Sequence, residues 1–277
     1  MINYENVLEV LNTDIRTPIP ATTVSKIISL PPFVTVPGVS NIRDLSHGPN
    51  LRRGYVYRSG NLSDITEEGK AVLVEDLGIT TMFDLRNESE RNRAPSPEID
   101  GIETLWMPYG ARPASLDLRD FAGDDQGTAG FVKMYTGILE ATAPAFMQVF
   151  SHIRDKPDDP FLFNCSAGKD RTGVLAALIL LLIGRPHEEI INDYILTRVG
   201  LENVRENLTR ALALHVGTNH LSPEAIGMLE LSGVRASAMA AFLKAFDNNY
   251  GGVETYLTTK LGFSTDDLQQ MRRNLAA

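Results

Sequence analysis

The sequence contains a single cysteine, Cys165, among its 277 residues. One cysteine excludes an intramolecular disulfide and a cysteine-rich zinc site, and it fits a reducing compartment. Histidine is scarce as well, and the 5 histidines are scattered without the spacing of metal ligands. We therefore expect neither a metal nor another cofactor.

The sequence also lacks a long apolar run and an excess of positive charge. Its most apolar stretch, from Val174 to Ile183, is too short for a membrane span, which needs about 20 residues. The stretch from Met1 to Ile15 holds no apolar signal core. The formal net charge of −9 argues against nucleic acid as the main partner, because binding a phosphate backbone needs clustered lysine and arginine. We expect a cytoplasmic protein without an integral membrane segment.

The composition suits one sizeable domain, because hydrophobic residues make up 43% of the chain and the length allows a core with a helical annex. Helical and extended patterns alternate through the first two thirds of the chain. Strands are expected over 55–59, 79–85, 102–107 and 161–163. This alternation predicts the α/β class, with a central, mostly parallel sheet flanked by helices.

Only helical patterns follow from residue 187 onward. They predict helices over 187–198, 201–214, 222–230, 233–248 and 264–275. We expect an N-terminal extension over residues 1–30 and a single catalytic domain over 31–277, with the helical annex beginning at about 187. The sequence leaves the oligomeric state open.

The segment from Phe163 to Gly173, FNCSAGKDRTG, reads as a strand, a tight polar loop and a helix that Gly173 opens. A loop that closes into a helix N-terminus directs several backbone N–H groups at one point, and with the helix dipole they form an anion site. Small residues after the cysteine let the backbone curl around a phosphate. Arg171 can grip two phosphate oxygens with its planar guanidinium group. The predicted phosphate-binding residues are Ser166, Ala167, Gly168, Lys169 and Gly173.

The same positive field favours the thiolate form of Cys165. A thiolate that faces a bound phosphate can attack phosphorus in line, while the amides and Arg171 stabilise charge on the equatorial oxygens. The hydroxyl of Thr172 can hydrogen-bond the sulfur and help it to leave when water hydrolyses the intermediate. The segment therefore predicts a phosphocysteine mechanism that requires no metal.

The Cys-x5-Arg-Thr-Gly pattern between a strand and a helix resembles the signature of protein tyrosine phosphatases. Its Ala-Gly-Lys-Asp-Arg-Thr-Gly form is similar to the branch of tyrosine/serine phosphatases that has Lys and Asp inside the loop. Residues 41–45, 57–62 and 83–86 resemble further elements of that branch, and the likeness spans about 31–200. The resemblance implies a phosphatase-like fold and hydrolysis of phosphotyrosine, with phosphoserine and phosphothreonine as further substrates.

One position departs from this pattern, because the family usually has histidine before the nucleophile and this chain has Asn164. Asparagine can hydrogen-bond but cannot carry a positive charge. We expect slower turnover than is usual in the family, but not inactivity. Two alternatives remain open: a phosphoinositide phosphatase, and a catalytically weak pseudophosphatase that binds phosphorylated partners.

The leaving group needs a proton from a general acid. Asp170 inside the loop is the preferred candidate. Asp84 at the end of its strand is the next one, although it can instead pair with Arg86. Many phosphatases use an aspartate on a mobile loop, and the Gly-rich loop over 110–129 offers such residues: Asp117, Asp120, Asp124 and Asp125.

Three further charged residues lie in or near the motifs named above. Lys169 is either a solvated charge or a second cation near the phosphate, which would favour multiply charged substrates such as phosphoinositides. Arg58 is expected at the surface, with substrate contact as the alternative. Arg43 is expected to pair with Asp44.

Overall fold

A five-stranded sheet forms the centre of the computed structural model, which describes residues 7–45, 51–107, 117–207, 210 and 222–277. The strands are β1 (Arg43–Asp44), β2 (Val56–Ser59), β3 (Thr81–Asp84), β4 (Glu103–Trp106) and β5 (Phe161–Asn164). Their order is β1-β2-β5-β3-β4, with β1 antiparallel to β2 and every other neighbouring pair parallel. The predicted α/β class with a mostly parallel sheet is confirmed.

Helices surround this sheet. They are α1 (Leu8–Leu11), α2 (Ala21–Ile28), α3 (Glu67–Ala71), α4 (Glu88–Arg93), α5 (Thr128–Ala141), α6 (Ala143–Asp155), α7 (Asp170–Leu182), α8 (His187–Ile195), α9 (Thr197–Gly200), α10 (Pro223–Ser232), α11 (Ala236–Tyr250), α12 (Val253–Thr259) and α13 (Thr265–Leu275). A π-helical turn, Val72–Asp76, continues α3, and short 3-10 turns cover Leu118–Phe121 and Glu202–Val204. Within the helix predicted over 201–214, only residues 201–207 and 210 are described, and they include the 3-10 turn Glu202–Val204. Helix α12 escaped prediction.

The central strand β5 fixes where the site lies. All four of its side chains are buried, and it pairs with β2 on one side and β3 on the other. Its last residue, Asn164, is in register with Ser59 and Asp84. The carboxyl ends of three parallel strands therefore meet at one edge of the sheet, which is where ligands bind in sheets of this kind.

Alternation along the strands divides the core between the two faces of the sheet. Tyr57, Met82 and Leu162 point into the smaller hydrophobic cluster. Phe161 and Phe163 point into the larger one, which the helices cover. Helix α7 lies in that larger cluster, and its apolar stretch is buried as a core helix, as the sequence predicts.

The C-terminal helices share this larger cluster with the sheet. α11 packs against α5 and α8, and α13 packs against α6. Phe242, Leu257 and Leu268 contribute side chains to the common core. No single helix in the described part of the chain is long and apolar enough to cross a membrane, and only the pair α10 and α11, bent by 86°, meets the length and composition criteria jointly.

The N-terminal segment is tied to the rest of the molecule by Arg198 of α9, whose side chain is fully buried. Its Nε donates to the carbonyl of Thr13 at 2.8 Å, and its Nη2 donates to the carbonyl of Thr17 at 2.7 Å. Its Nη1 pairs with Glu202 at 2.5 Å. One guanidinium group thus satisfies backbone carbonyls that precede α2.

Replacing Arg198 with methionine should lower the free energy of unfolding by about 1–3 kcal/mol, because two part-buried hydrogen bonds to backbone carbonyls are lost. Urea denaturation measures this loss. Arg16→Met is the matched control, since Arg16 pairs with Asp14 in the same segment with 63% of its side chain exposed and should change stability by less than about 0.5 kcal/mol. Equal losses in the two variants would contradict the role of Arg198.

Candidate active site

The nucleophile loop, residues 165–169, joins the carboxyl end of β5 to the first residue of α7. Cys165 follows the last strand residue and is 2% exposed. The helix begins at Asp170 and not at Gly173 as predicted, so Arg171 and Thr172 lie in its first turn. The predicted order of strand, loop and helix N-terminus is confirmed.

Two side chains and one backbone N–H from outside the loop hold its carbonyls. The carbonyls of residues 166–168 accept hydrogen bonds from Asn61 N at 3.1 Å, from Asn41 Nδ2 at 3.0 and 3.1 Å, and from Arg58 Nη2 at 2.8 Å. A peptide group whose carbonyl points outward directs its N–H to the opposite side. The outer hydrogen bonds therefore favour a loop whose amides face inward, as an anion site requires.

Gly168 permits the tight curvature. Its φ angle is +65°, in the left-handed region that glycine adopts without strain. A Cβ at this position would lie 2.4 Å from the carbonyl oxygen of Ser59 and 2.6 Å from the nitrogen of Gly60. The loop can approach β2 this closely only because residue 168 has no side chain.

A buried cluster anchors these outer donors, and we call Asp193, Arg43, Arg58 and Asn41 the Asp193 brace. Asp193 of α8 accepts from Arg43 Nε at 2.9 Å and from Arg58 Nη1. Arg43 Nη1 in turn donates to Asn41 Oδ1 at 2.5 Å. The two arginines are fully buried and Asp193 is 1% exposed, so one carboxylate orients both loop-holding groups.

The brace corrects two predictions. Arg58 is not at the surface, and its burial, followed by repulsion from Arg43, lowers its pKa to about 10, which still leaves it charged at neutral pH. Arg43 pairs with Asp193 and not with Asp44, whose Oδ2 accepts from the backbone N of Gly54 at 2.9 Å. The sequence pattern shows neither pairing, because Asp193 lies on a distant helix.

Arg171 makes a bidentate ion pair with Glu90 of α4. The distances are 2.5 Å from Nη1 to Oε2 and 2.6 Å from Nη2 to Oε1, and Ser166 Oγ donates to Oε1 at 2.6 Å. Burial alone would raise the pKa of Glu90, but the hydrogen bonds and charge of Arg171, with those of Ser166 and Asn87, lower it to about 2. Glu90 therefore stays ionised and fixes the plane of the arginine.

Glu90 is a site residue that our reading of the sequence missed, although a local signal exists. Asn87 and Glu90 form a capping box, in which each side chain accepts from the other residue's backbone N at 2.9 Å. Asn-x-x-Glu is visible in the sequence as a helix start. What the sequence does not show is that the same carboxylate reaches Arg171, in the first turn of α7 and 81 positions away.

Lys169 is placed differently from the prediction of a second cation near the phosphate. Its side chain is 5% exposed, and its Nζ donates to the carbonyls of Leu231 at 2.5 Å and Gly233 at 2.9 Å. Burial lowers its pKa, while Asp170, 3.5 Å away, opposes this effect. These bonds join the nucleophile loop to the end of α10 and direct the ammonium group there.

Asp170 lies at the start of α7 with 26% of its side chain exposed. Its Oδ1 accepts a hydrogen bond from the hydroxyl of Tyr135 at 2.9 Å. Partial exposure beside the nucleophile loop is consistent with its predicted role in proton transfer.

Asp84 is instead a structural carboxylate. It is 1% exposed; Arg86 contacts both of its oxygens, at 2.9 and 2.8 Å, and Ser96 Oγ lies 2.6 Å from Oδ2. Arg91 Nε lies 3.2 Å from the same oxygen. The alternative prediction, pairing with Arg86, is confirmed, and the geometry does not present Asp84 as a general acid.

The aspartates of the Gly-rich loop serve local structure, where the loop is described. Asp117 caps the 3-10 turn, Asp120 pairs with Lys133 at 2.6 Å, and Asp125 accepts from two backbone N–H groups at the start of α5. Asp124 is exposed. Residues 110–116 of the predicted mobile loop lie outside the described residues.

Thr172 and Asn164 each present a buried oxygen without a hydrogen-bond partner in the described part of the chain. The predicted hydrogen bond from Thr172 to the sulfur is therefore not formed here. Gly173 serves helix packing, because a Cβ there would lie 3.2 Å from the ring of Tyr194. Its predicted phosphate contact rests only on its place in the first turn of α7.

The sequence model of the tyrosine phosphatase family matches residues 34–277. The chain belongs to the tyrosine phosphatase family. It is therefore a phosphatase of the tyrosine-phosphatase type, as the resemblance implies. The family match also identifies phosphorylated molecules as the substrates of this phosphatase.

Two similar proteins carry names that agree with this assignment. The phosphatase is 28% identical to the triple specificity protein phosphatase PtpB of Mycobacterium tuberculosis, over 86% of this chain and 96% of the relative. It is 30% identical to a tyrosine-protein phosphatase of Nostoc commune, over 79% of this chain and 73% of the relative.

Among solved structures, the core catalytic domain of the PP-IP phosphatase SIW14 from S. cerevisiae matches with a TM-score of 0.36 and 15% identity. That match covers 66% of this chain and 94% of SIW14. P. aeruginosa TpbA matches with a TM-score of 0.32 and 13% identity, over 73% of this chain and 91% of TpbA.

Replacing Glu90 with glutamine should destabilise the phosphatase at neutral pH by about 1–2 kcal/mol, a figure reduced for partial exposure. The folded-state pKa of Glu90, about 2, lies below its ordinary value of 4.5, so its contribution is complete above about 4.5 and is lost as pH falls towards 2. Urea denaturation should show that the difference in free energy of unfolding between wild type and variant becomes smaller as the pH falls from 7 to 3.

Glu67→Gln is the control, because Glu67 pairs with Lys70 with 89% of its side chain exposed. Its effect should stay below about 0.5 kcal/mol at every pH. A gap for Glu90→Gln that is independent of pH would contradict the ion pair with Arg171.

Replacing Asp193 with asparagine should cost about 3–5 kcal/mol, because two buried arginines lose their counter-charge. Activity should fall with it, since the loop carbonyls lose oriented donors. Asp247→Asn is the control: Asp247 lies 3.4 Å from His187 with 46% of its side chain exposed, and its loss should change stability by about 0.5 kcal/mol or less. Comparable denaturation midpoints for the two variants would refute the brace.

Proposed function

We propose that this phosphatase hydrolyses phosphomonoesters on proteins, phosphotyrosine included, through a phosphocysteine on Cys165. The observation that carries the proposal is the geometry of the nucleophile loop. Cys165 lies at the end of the central strand, before a loop whose carbonyls are held outward and a helix whose first turn carries Arg171.

The reaction follows from these positions. The inward amides and Arg171 bind the phosphate, and Glu90 holds the guanidinium plane in a single orientation. The thiolate of Cys165 forms the S–P bond as the P–O bond to the leaving group breaks. Asp170 gives its proton to the leaving oxygen, and as a carboxylate it then takes a proton from the water that hydrolyses the phosphocysteine.

The surroundings of the loop favour protein over phosphoinositide substrates. A cavity of about 290 Å³ adjoins Ser166 and Ala167, and its described lining includes the carboxylate of Asp64 and no cation. Lys169 is committed to backbone carbonyls. A lipid headgroup with several phosphates needs further cations, whereas a peptide segment beside a phosphorylated residue needs none.

Two further considerations support this reading. The relative from M. tuberculosis is named a triple specificity protein phosphatase, which supports protein substrates of more than one kind. The mechanism also needs a reduced thiol, which supports a reducing compartment such as the cytoplasm.

The pseudophosphatase alternative rests on Asn164, whose buried oxygen finds no partner within the described residues.

Burst kinetics on an aryl phosphate test the proposal. Wild type should turn over with a chelator present, and Cys165→Ser should lose about 10³-fold or more in kcat, because the nucleophile is removed. Parallel assays compare a phosphotyrosine peptide with phosphoinositide vesicles, and the peptide should be the better substrate. Phosphate binding without turnover in the wild type would instead identify a pseudophosphatase, and faster lipid hydrolysis would exclude the protein preference.

A further inference from the structure

Two buried tyrosines and Asp170 form a continuous hydrogen-bonded row. The hydroxyl of Tyr135 on α5 lies 2.9 Å from Asp170 Oδ1 and 2.8 Å from the hydroxyl of Tyr194 on α8. Three different helices, α5, α7 and α8, thus contribute to the row. The mechanism described above uses Asp170 but assigns nothing to either tyrosine.

The row is rigid. Tyr135 is fully buried and Tyr194 is 1% exposed. The ring of Tyr135 packs edge-on against Phe242, with ring centroids 5.5 Å apart, and at a tilt of 56° against Phe131, with centroids 5.6 Å apart. Because aromatic packing of this kind leaves no second position for the ring, the hydroxyl is held at one point.

The direction of the hydrogen bonds follows from chemistry. Oδ1 accepts a hydrogen bond whether Asp170 is ionised or carries its proton on Oδ2, so Tyr135 donates to Asp170. The oxygen of Tyr135 in turn accepts from Tyr194. Burial, and after it the charge of Asp170, raise the pKa of both tyrosines. Both hydroxyls therefore remain protonated donors at neutral pH.

The contacts also distinguish the two oxygens of Asp170. Tyr135 and the ammonium group of Lys169 both face Oδ1, at 2.9 and 3.5 Å. With Oδ1 held in this way and the side chain 26% exposed, Oδ2 is the oxygen that can carry a proton to a bound ester.

We propose that Tyr135, supported by Tyr194, is a positioning residue that holds Oδ1 of Asp170 so that Oδ2 delivers the proton to the leaving oxygen. The inference rests on the proposed role of Asp170 as general acid. As the S–P bond forms and the P–O bond breaks, the proton moves from Oδ2 to the leaving oxygen and Asp170 becomes negative. The hydrogen bond from Tyr135 strengthens as that charge develops, because charge-assisted bonds are stronger than neutral ones.

A series of aryl phosphates with leaving groups of increasing basicity tests the inference through kcat/KM. A poor leaving group such as phenolate needs the proton, whereas dinitrophenolate leaves without it. Tyr135→Phe should lose about 10- to 100-fold on phenyl phosphate, the value of one hydrogen bond to a charged group. On dinitrophenyl phosphate it should stay within about twofold of wild type. Tyr194→Phe should show the same dependence with a smaller loss.

Tyr256→Phe is the matched control, because this buried tyrosine donates to the carbonyl of Leu139 on the same helix α5 at 2.8 Å. It should leave the dependence on leaving group unchanged. Equal losses of Tyr135→Phe on both esters, or a profile equal to that of Tyr256→Phe, would overturn the inference. If Tyr135→Phe does not fold, Tyr194→Phe decides in the same way.

Asp170→Asn separates this inference from the proposed function. It should reproduce the steep dependence on leaving group, more strongly than Tyr135→Phe. If Asp170→Asn lowered kcat/KM equally for all leaving groups, Asp170 would not be the general acid. A steep profile for Asp170→Asn beside a flat one for both tyrosine variants would keep the acid and reject the positioning role alone.

Discussion

The contact of Asp193 with Arg43 and Arg58 is the interaction on which the site depends. It joins β1, β2 and α8 in a place from which water is excluded. A buried ion pair gives little net stability by itself, but removing one partner leaves an uncompensated charge. Both guanidinium groups are therefore held in place. Arg58 donates directly to a carbonyl of the nucleophile loop, and Arg43 holds Asn41, whose amide donates to the same loop. The shape of an anion site is thereby fixed by cations that lie outside it.

The same arrangement explains why net charge says little about this protein's chemistry. The chain carries a net charge of −9, yet Arg43, Arg58, Arg86 and Arg198 are among its largest fully buried side chains. Each meets a carboxylate or backbone carbonyls. Arginine suits such positions because its planar group offers five donors in fixed directions and stays charged when desolvated. Its long stem also packs as apolar surface. An acidic exterior and a basic catalytic interior are therefore compatible.

The sequence predicted the class of fold and the nucleophile because both lie in one contiguous segment. Strand β5, the loop and α7 follow each other directly, so local pattern and chemistry could be read together. Glu90, Asp193 and Tyr135 escaped because their roles arise from contacts across 81, 135 and 35 positions. A residue type shows what a side chain can do, whereas only the fold shows what it meets. Lys169 illustrates the difference. A cation beside a nucleophile suggested substrate contact, but its ammonium group donates to the backbone carbonyl of Gly233, directly after α10.

Asn41 has a φ angle of +58°, and its side-chain amide donates to the carbonyls of Ala167 and Gly168. Its side chain ends a chain of hydrogen bonds that runs from Asp193 on α8 through Arg43. None of these three residues belongs to the nucleophile loop. The catalytic segment therefore does not hold its own shape. Moving FNCSAGKDRTG into another α/β scaffold would transfer the nucleophile and the guanidinium group without the outer hydrogen bonds that hold the loop carbonyls. Transplantation would have to include the Asp193 brace, in which three residues lie between positions 41 and 58 and the fourth is at 193.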